Sequence, residues 1–219
     1  MFGNSFADHV TQGYKFLMRY YSPGDKIYIF GFSRGAYEAR ILAEMVDGIG
    51  LLSRGNEEMV SSVWYAFSAY KCQRDSKKGP LLDHYMARTK AVFGREDVQV
   101  YFLGLFDCVN SVNEFEMPTP GKSTPYIKKA PAKHIRHAVS IDERRAKFKP
   151  TLMLMDPGSS EHVDIVETWF AGNHGDIGGG WEPQHGLLLS DLTLSWMVSE
   201  VMNIPHSVSN SAKALSSLM

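Results

Sequence analysis

The chain has 219 residues, of which 44% are hydrophobic and 21% charged, a balance that fits one folded domain with a sizeable core and excludes the disordered and fibrous classes. Its 23 basic and 24 acidic side chains leave a net charge of -1, so no whole-molecule field draws it to nucleic acid. Cys72 and Cys108 are its two cysteines, too few for a disulfide framework and without C-x-x-C spacing, which makes the reducing cytoplasm the expected compartment. No apolar run reaches about 18 residues, and residues 1–10 lack the charged start and apolar stretch of a signal peptide, so no spanning segment is expected.

In chain order, residues 5–21 place Phe6, Val10, Tyr14, Leu17 and Met18 at helical spacing before the breaker Ser22-Pro23-Gly24-Asp25. Residues 26–30 are short, β-branched and aromatic, the profile of a buried strand, and Gly31 ends them. Helical spacing returns over residues 36–46 and closes at Gly48. Two further helices are expected over residues 57–72 and 80–93, candidates for a cap at 55–95 above a site. Residues 98–105 read as a strand ending at Phe106-Asp107, and the proline-rich stretch 113–131 reads as a surface loop. A helix is expected over residues 133–141, a strand over 164–170 and an amphipathic helix over 187–202, with a fraying serine-rich end at 207–217. Strands alternating with helices predict one α/β domain over residues 1–219, a mostly parallel sheet covered on both faces, three layers in all. Ligands on such sheets bind beyond the carboxyl ends of the strands.

Gly31-Phe32-Ser33-Arg34-Gly35 fits G-x-S-x-G, with a strand before it and a helix after it as a nucleophile elbow requires. The strained turn asks for glycine or a very small residue at 31 and 35, which Gly31 and Gly35 satisfy, and lifts the Ser33 hydroxyl toward the positive end of the following helix. The backbone N–H of Arg34 is then the expected oxyanion donor. A serine hydroxyl needs a base to take its proton, and of the eight histidines His174 stands in a loop after a strand, just before Gly178-Gly179-Gly180. His9, His84, His134, His137, His162, His185 and His206 fall in expected helices or exposed loops. Asp107, at a strand end, can fix the imidazole tautomer, and the order Ser, Asp, His is that of the α/β-hydrolases. Asp164 and Asp176 are rival carboxylates, and Asp107 has the alternative reading of a turn or cap aspartate.

His134-x-x-His137 could present two ligands on one helical face, but no carboxylate or cysteine stands at ligand spacing, and a surface pair is the expected reading. His174-x-Asp176 is a second, weaker metal-type pair, so neither a metal nor an organic cofactor is expected. The glycine run lacks the lysine and strand context of a phosphate loop. Asp142-Glu143-Arg144-Arg145 reads as a solvated charge cluster or an internal ion-pair network. Met59, Val63, Tyr65, Phe67 and Tyr70 could line a lipid-binding lid, with ordinary helix packing as the plainer explanation.

Five motifs carry a resemblance: Tyr21-Ser22-Pro23-Gly24-Asp25, residues 31–37, Gly104-Leu105-Phe106-Asp107-Cys108-Val109, residues 137–144 and residues 169–180. In this order they resemble the fungal and bacterial "domain of unknown function" α/β-hydrolases related to the catalytic domain of type VI secretion phospholipase effectors. The resemblance implies a Ser33, Asp107, His174 triad and hydrolysis of an ester, of a phospholipid or another acyl ester. Similar members begin with a strand ending in Asp-Gly-Thr ahead of the opening helix, and nothing in this chain corresponds to it. Its absence implies the loss of an oxyanion donor worth roughly 3 kcal/mol and an unpaired strand edge. Weak activity, or a homo-oligomer or second chain completing the sheet, is the resulting expectation. The alternatives are a non-catalytic binding protein and an acyltransferase or cyclase using the same serine.

Overall fold

The computed structural model describes residues 5–73, 77–109, 130–153, 164–182, 186 and 188–204. The expected loop at 113–131, except for its last two residues, the serine-rich end, and His162, His185 and His206 lie outside them. Four parallel strands, β1 (Ile27–Phe32), β2 (Val100–Phe106), β3 (Ala132–Ser140) and β4 (Asp164–Phe170), form one sheet in the order β1-β2-β3-β4. Among the described residues β1 is therefore one edge of the sheet and β4 the other.

Helix α1 (Ser5–Tyr20) forms because Phe6, Val10, Tyr14 and Met18 repeat every four residues, and all four are buried against the core. The Tyr14 hydroxyl donates to the Gly50 carbonyl at 2.7 Å and accepts the Leu52 N–H at 3.0 Å, tying α1 to the chain beyond α2. Helix α2 (Arg34–Ile49) lays Ala36, Ala39 and Ala43 on the sheet, small side chains that let helix and strands approach closely. Helices α3 (Val60–Gln73) and α4 (Gly79–Phe93) pack on each other and on α2. One apolar core joins these four helices to Ile27, Val100, Leu103, Leu105 and Ile135, each buried aliphatic side chain contributing about 1.5–3 kcal/mol. On the opposite face α6 (Leu189–Asn203) sets Met197 against Phe102, while α5 (His174–Gly178) packs beside it. The three-layer α/β expectation holds.

Residues 133–141 correct the sequence reading: they form β3, not a helix. The alternation of a strand is present, with Ile135, His137 and Val139 on one side and His134, Arg136 and Ala138 on the other. Polar side chains hide it, because they are wholly or partly buried with partners from β4 and α6. His134 meets Asp164 at 2.6 Å and His137 meets Glu167 at 2.7 Å. Arg136 bonds Asp164 at 2.8 Å and pairs with Glu200 of α6. A strand also separates His134 and His137 onto opposite faces, so they are not the surface pair of one helical face that the spacing suggested.

Candidate active site

Ser33 sits between β1 and α2 with φ 60° and ψ -125°, a conformation costing about 1–3 kcal/mol in a residue with a Cβ. Gly31 makes the turn possible, since a Cβ there would lie 2.3 Å from the Gly35 carbonyl oxygen. Gly35 differs from the sequence expectation: a Cβ at that position meets nothing within 4 Å. The crowding lies on one side of the turn only. Arg34 opens α2, so its N–H is among the first-turn amides without an intrahelical acceptor.

The Ser33 hydroxyl is 2.7 Å from His174 Nε2, and His174 Nδ1 is 2.6 Å from Asp107 Oδ2. The three residues that the sequence singled out, 141 positions apart at the widest, thus meet in one chain of contacts. Asp107 is fully buried and also left-handed, with φ 41°. Its Oδ1 accepts the Ser140 N–H at 2.9 Å and its Oδ2 the Ser140 hydroxyl at 2.8 Å. The carboxylate therefore has its burial offset by hydrogen bonds. The rival carboxylates are engaged elsewhere. Asp176 Oδ2 accepts the Asn173 N–H at 2.9 Å in the capping box of α5, and Asp164 belongs to the His134 and Arg136 cluster.

The imidazole is held from several sides. Its ring packs against both Phe32 and Phe148, with centroids 4.7 Å and 4.8 Å away. A Cβ on Gly178 would come within 2.2 Å of the Phe32 ring, so glycine there lets α5 sit against that aromatic wall. Arg145 places its guanidinium 3.9 Å from the Phe148 centroid and donates to Glu143 at 2.7 Å. Glu143 Oε2 accepts the His174 N–H at 3.2 Å, and Asp142 Oδ2 accepts the Gly172 N–H at 2.8 Å. The bond from Arg145, helped by backbone N–H groups of Arg145 and His174, holds the Glu143 carboxyl at about 2 against the pull of burial. Residues 142–145 combine the two readings: Asp142, Arg144 and Arg145 are exposed, while Glu143, paired with Arg145, and Asp142 bond the backbone around His174.

Ser140, Glu143, Phe32 and Phe148 were not singled out from the sequence as site residues. The charge cluster at 142–145 and the aromatic beside Ser33 were the available signals. Cys108 follows Asp107, but burial pushes its thiol up to about 12, so it stays protonated. Among the described residues no three His, Cys, Asp or Glu side chains converge as metal ligands would, and no helix is long and apolar enough to cross a membrane.

Residues 1–200 match the family described as the type VI secretion system (T6SS) phospholipase effector Tle1-like catalytic domain. The chain belongs to this family. A relative is the uncharacterized protein YEL023C of Saccharomyces cerevisiae, 41% identical over 153 residues that make up 68% of this chain and 22% of the yeast protein. The chain thus spans about a fifth of that relative's length. The Tle1 effector bound to the VgrG spike of the type 6 secretion system is a similar solved structure, with TM-score 0.41 and 22% identity over 81% of this chain and 30% of that one.

Proposed function

We propose that this Tle1-like domain is a serine hydrolase that cleaves a carboxylic ester of a lipid through an acyl-enzyme on Ser33. The observation that carries the reading is the continuous contact from Ser33 Oγ through His174 to Asp107, at 2.7 Å and 2.6 Å. His174 Nε2 takes the hydroxyl proton while Oγ bonds to the ester carbonyl carbon, and the displaced electron pair collects on the carbonyl oxygen. The first amides of α2, Arg34 N–H among them, face that developing charge. Collapse of the adduct expels the alcohol oxygen, which leaves with the proton from His174. A water molecule, deprotonated by the same nitrogen, then releases the acid. Asp107 accepts the Nδ1–H of His174 and keeps the ring aimed at Ser33.

The end of the sheet where Ser33 lies suits an amphiphilic substrate. Ile141 follows β3 there, Trp181 packs on Gly175 of α5, and Leu189 and Leu192 lie in the first turn of α6, all at least 46% exposed. Arg34, Arg144, Lys147 and Lys149 add exposed positive charge on the same side. Apolar side chains among cations fit a lipid with an anionic headgroup.

Treating the chain with a fluorophosphonate and digesting it is the direct test. An adduct on Ser33, lost in Ser33→Ala and slowed in His174→Ala, supports the serine mechanism, and release of fatty acid from phospholipid vesicles supports the substrate class. A folded chain without adduct would show a binding protein instead. Adduct formation without hydrolysis would point to acyl transfer.

A further inference from the structure

Behind the Asp107 turn lies a second histidine and carboxylate pair, its histidine fully buried and its carboxylate partly so, that the reaction above does not use. His137 has no exposed surface. Its Nε2 accepts the Cys108 N–H at 3.0 Å and its Nδ1 meets Glu167 Oε1 at 2.7 Å. A backbone N–H can only donate, so Nε2 carries no proton and Nδ1–H donates to Glu167. Glu167 Oε1 is anchored in turn by the Met153 N–H at 3.0 Å.

The position of that contact matters. The chain leaves β2 through the left-handed residue Asp107, and the three amides that follow the strand each have an acceptor. Asp107 N–H donates to the Ala138 carbonyl at 2.7 Å, Cys108 N–H to His137, and Val109 N–H to the Ser33 carbonyl at 3.3 Å. Two of these acceptors are backbone oxygens supplied by neighbouring turns and strands. The third, in the middle, is a side chain. Without it the Cys108 amide would be buried with no acceptor, and the turn could recover one only by rotating the peptide that fixes the Asp107 side chain.

We propose that His137, held as its Nδ1–H tautomer by Glu167, is a positioning residue for the catalytic aspartate. It acts through the Cys108 amide to fix the Asp107 turn and so the aim of the carboxylate at His174. The inference rests on the serine hydrolase reading for its kinetic consequence, but its geometry is measurable without any substrate.

The test compares the full chain with His137→Leu and His137→Gln. Glutamine can present Oε1 to the Cys108 N–H, whereas leucine fills the space and accepts nothing. In the wild type, 15N NMR of the histidines is expected to show His137 Nε2 unprotonated and Nδ1 protonated at neutral pH. The low-field proton of the short His174–Asp107 contact should be present in the wild type and in His137→Gln and absent from His137→Leu. Below the melting point of each variant, His137→Leu should lower kcat on a soluble ester by about 30-fold or more with KM within about twofold, and His137→Gln should recover most of that loss. A protonated Nε2 in the wild type overturns the proposal, as does a folded His137→Leu that keeps the low-field proton. If His137→Leu does not fold, the wild-type tautomer and the His137→Gln signal decide. An unlabelled wild-type Ser33 would instead defeat the hydrolase reading and leave these NMR outcomes standing.

Discussion

Val109 donates its backbone N–H to the carbonyl of Ser33 at 3.3 Å, and Ser33 returns its own N–H to the Phe106 carbonyl at 2.9 Å. The turn bearing Ser33 and the turn bearing Asp107 are therefore one hydrogen-bonded unit at the ends of two paired strands. Only His174 comes from further away, at the start of α5 after β4. The site should behave as a unit in mutagenesis as well.

Removing any member of a serine triad leaves the others without a task, so losses should not add. Ser33→Ala and His174→Ala are each expected to reduce kcat by roughly 10⁶-fold, and the double variant by about as much as either alone. Asp107→Asn should cost roughly 10⁴-fold by favouring the wrong tautomer. Steady-state rates on a soluble ester check this. Additive losses in the double variant would mean that Ser33 and His174 do not act in one proton transfer.

The two elbow glycines should part company in stability. At Gly31 a Cβ would sit 2.3 Å from one backbone atom and 2.6 Å from another, neither of which can move aside cheaply. Gly31→Ala is expected to destabilise by about 3 kcal/mol or to prevent folding. Gly35 lies in the first turn of α2 with open space around its Cα. Gly35→Ala should therefore be neutral or stabilising by about 0.5–1 kcal/mol. Chemical denaturation of both variants gives the comparison.

Much of this arrangement was legible in the sequence. Gly31-Phe32-Ser33 between an apolar strand and a helix announces a sharp turn, and Asp107 and His174 stand at strand ends where a parallel sheet gathers its functional groups. What could not be read were contacts between distant strands. Ser140 is 33 residues from the carboxylate it holds and Glu143 is 31 from the backbone N–H it accepts. Strand β3 was misread for the same reason. His134 and His137 look like one polar helix face until Asp164 and Glu167 supply their partners across the strands.

Below the sheet, Glu44 is expected to control acid stability. Burial alone would push its carboxyl up, but Lys71 and Arg40 outweigh that and hold it at about 2 rather than the usual 4.5. Arg40 Nε approaches it at 3.0 Å, Lys71 also pairs with it, and both the Glu44 and Arg40 side chains are under 10% exposed. A carboxyl whose folded value is depressed stabilises the fold fully above the unfolded value and loses that contribution as pH falls through the folded value. Stability should therefore decline from about pH 4.5 toward 2. Glu44→Gln should make that decline shallower, leaving the share of Glu143, Asp164 and Glu167, whose carboxyls are also lowered, and destabilise the protein at neutral pH by about 3–5 kcal/mol, because it leaves Arg40 and Lys71 without their counter-charge. Urea titrations from pH 2 to 7 check both statements.

The cationic edge of the site supplies the last prediction. Lys147 and Lys149 are exposed on either side of Phe148, whose ring packs against the His174 imidazole. A lipid headgroup reaching Ser33 would pass close to both lysines. Near an anionic membrane each lysine contributes about 1 kcal/mol of attraction. Lys147→Glu with Lys149→Glu replaces two attractions by two repulsions, so binding to vesicles rich in anionic lipid should weaken by roughly 10²-fold or more. The effect should shrink as salt shortens the screening length. Hydrolysis of a short soluble ester, which needs no surface, should fall far less than hydrolysis of the vesicles. Equal losses on both substrates would mean that the lysines shape the catalytic loop through Phe148 and do not meet a lipid surface.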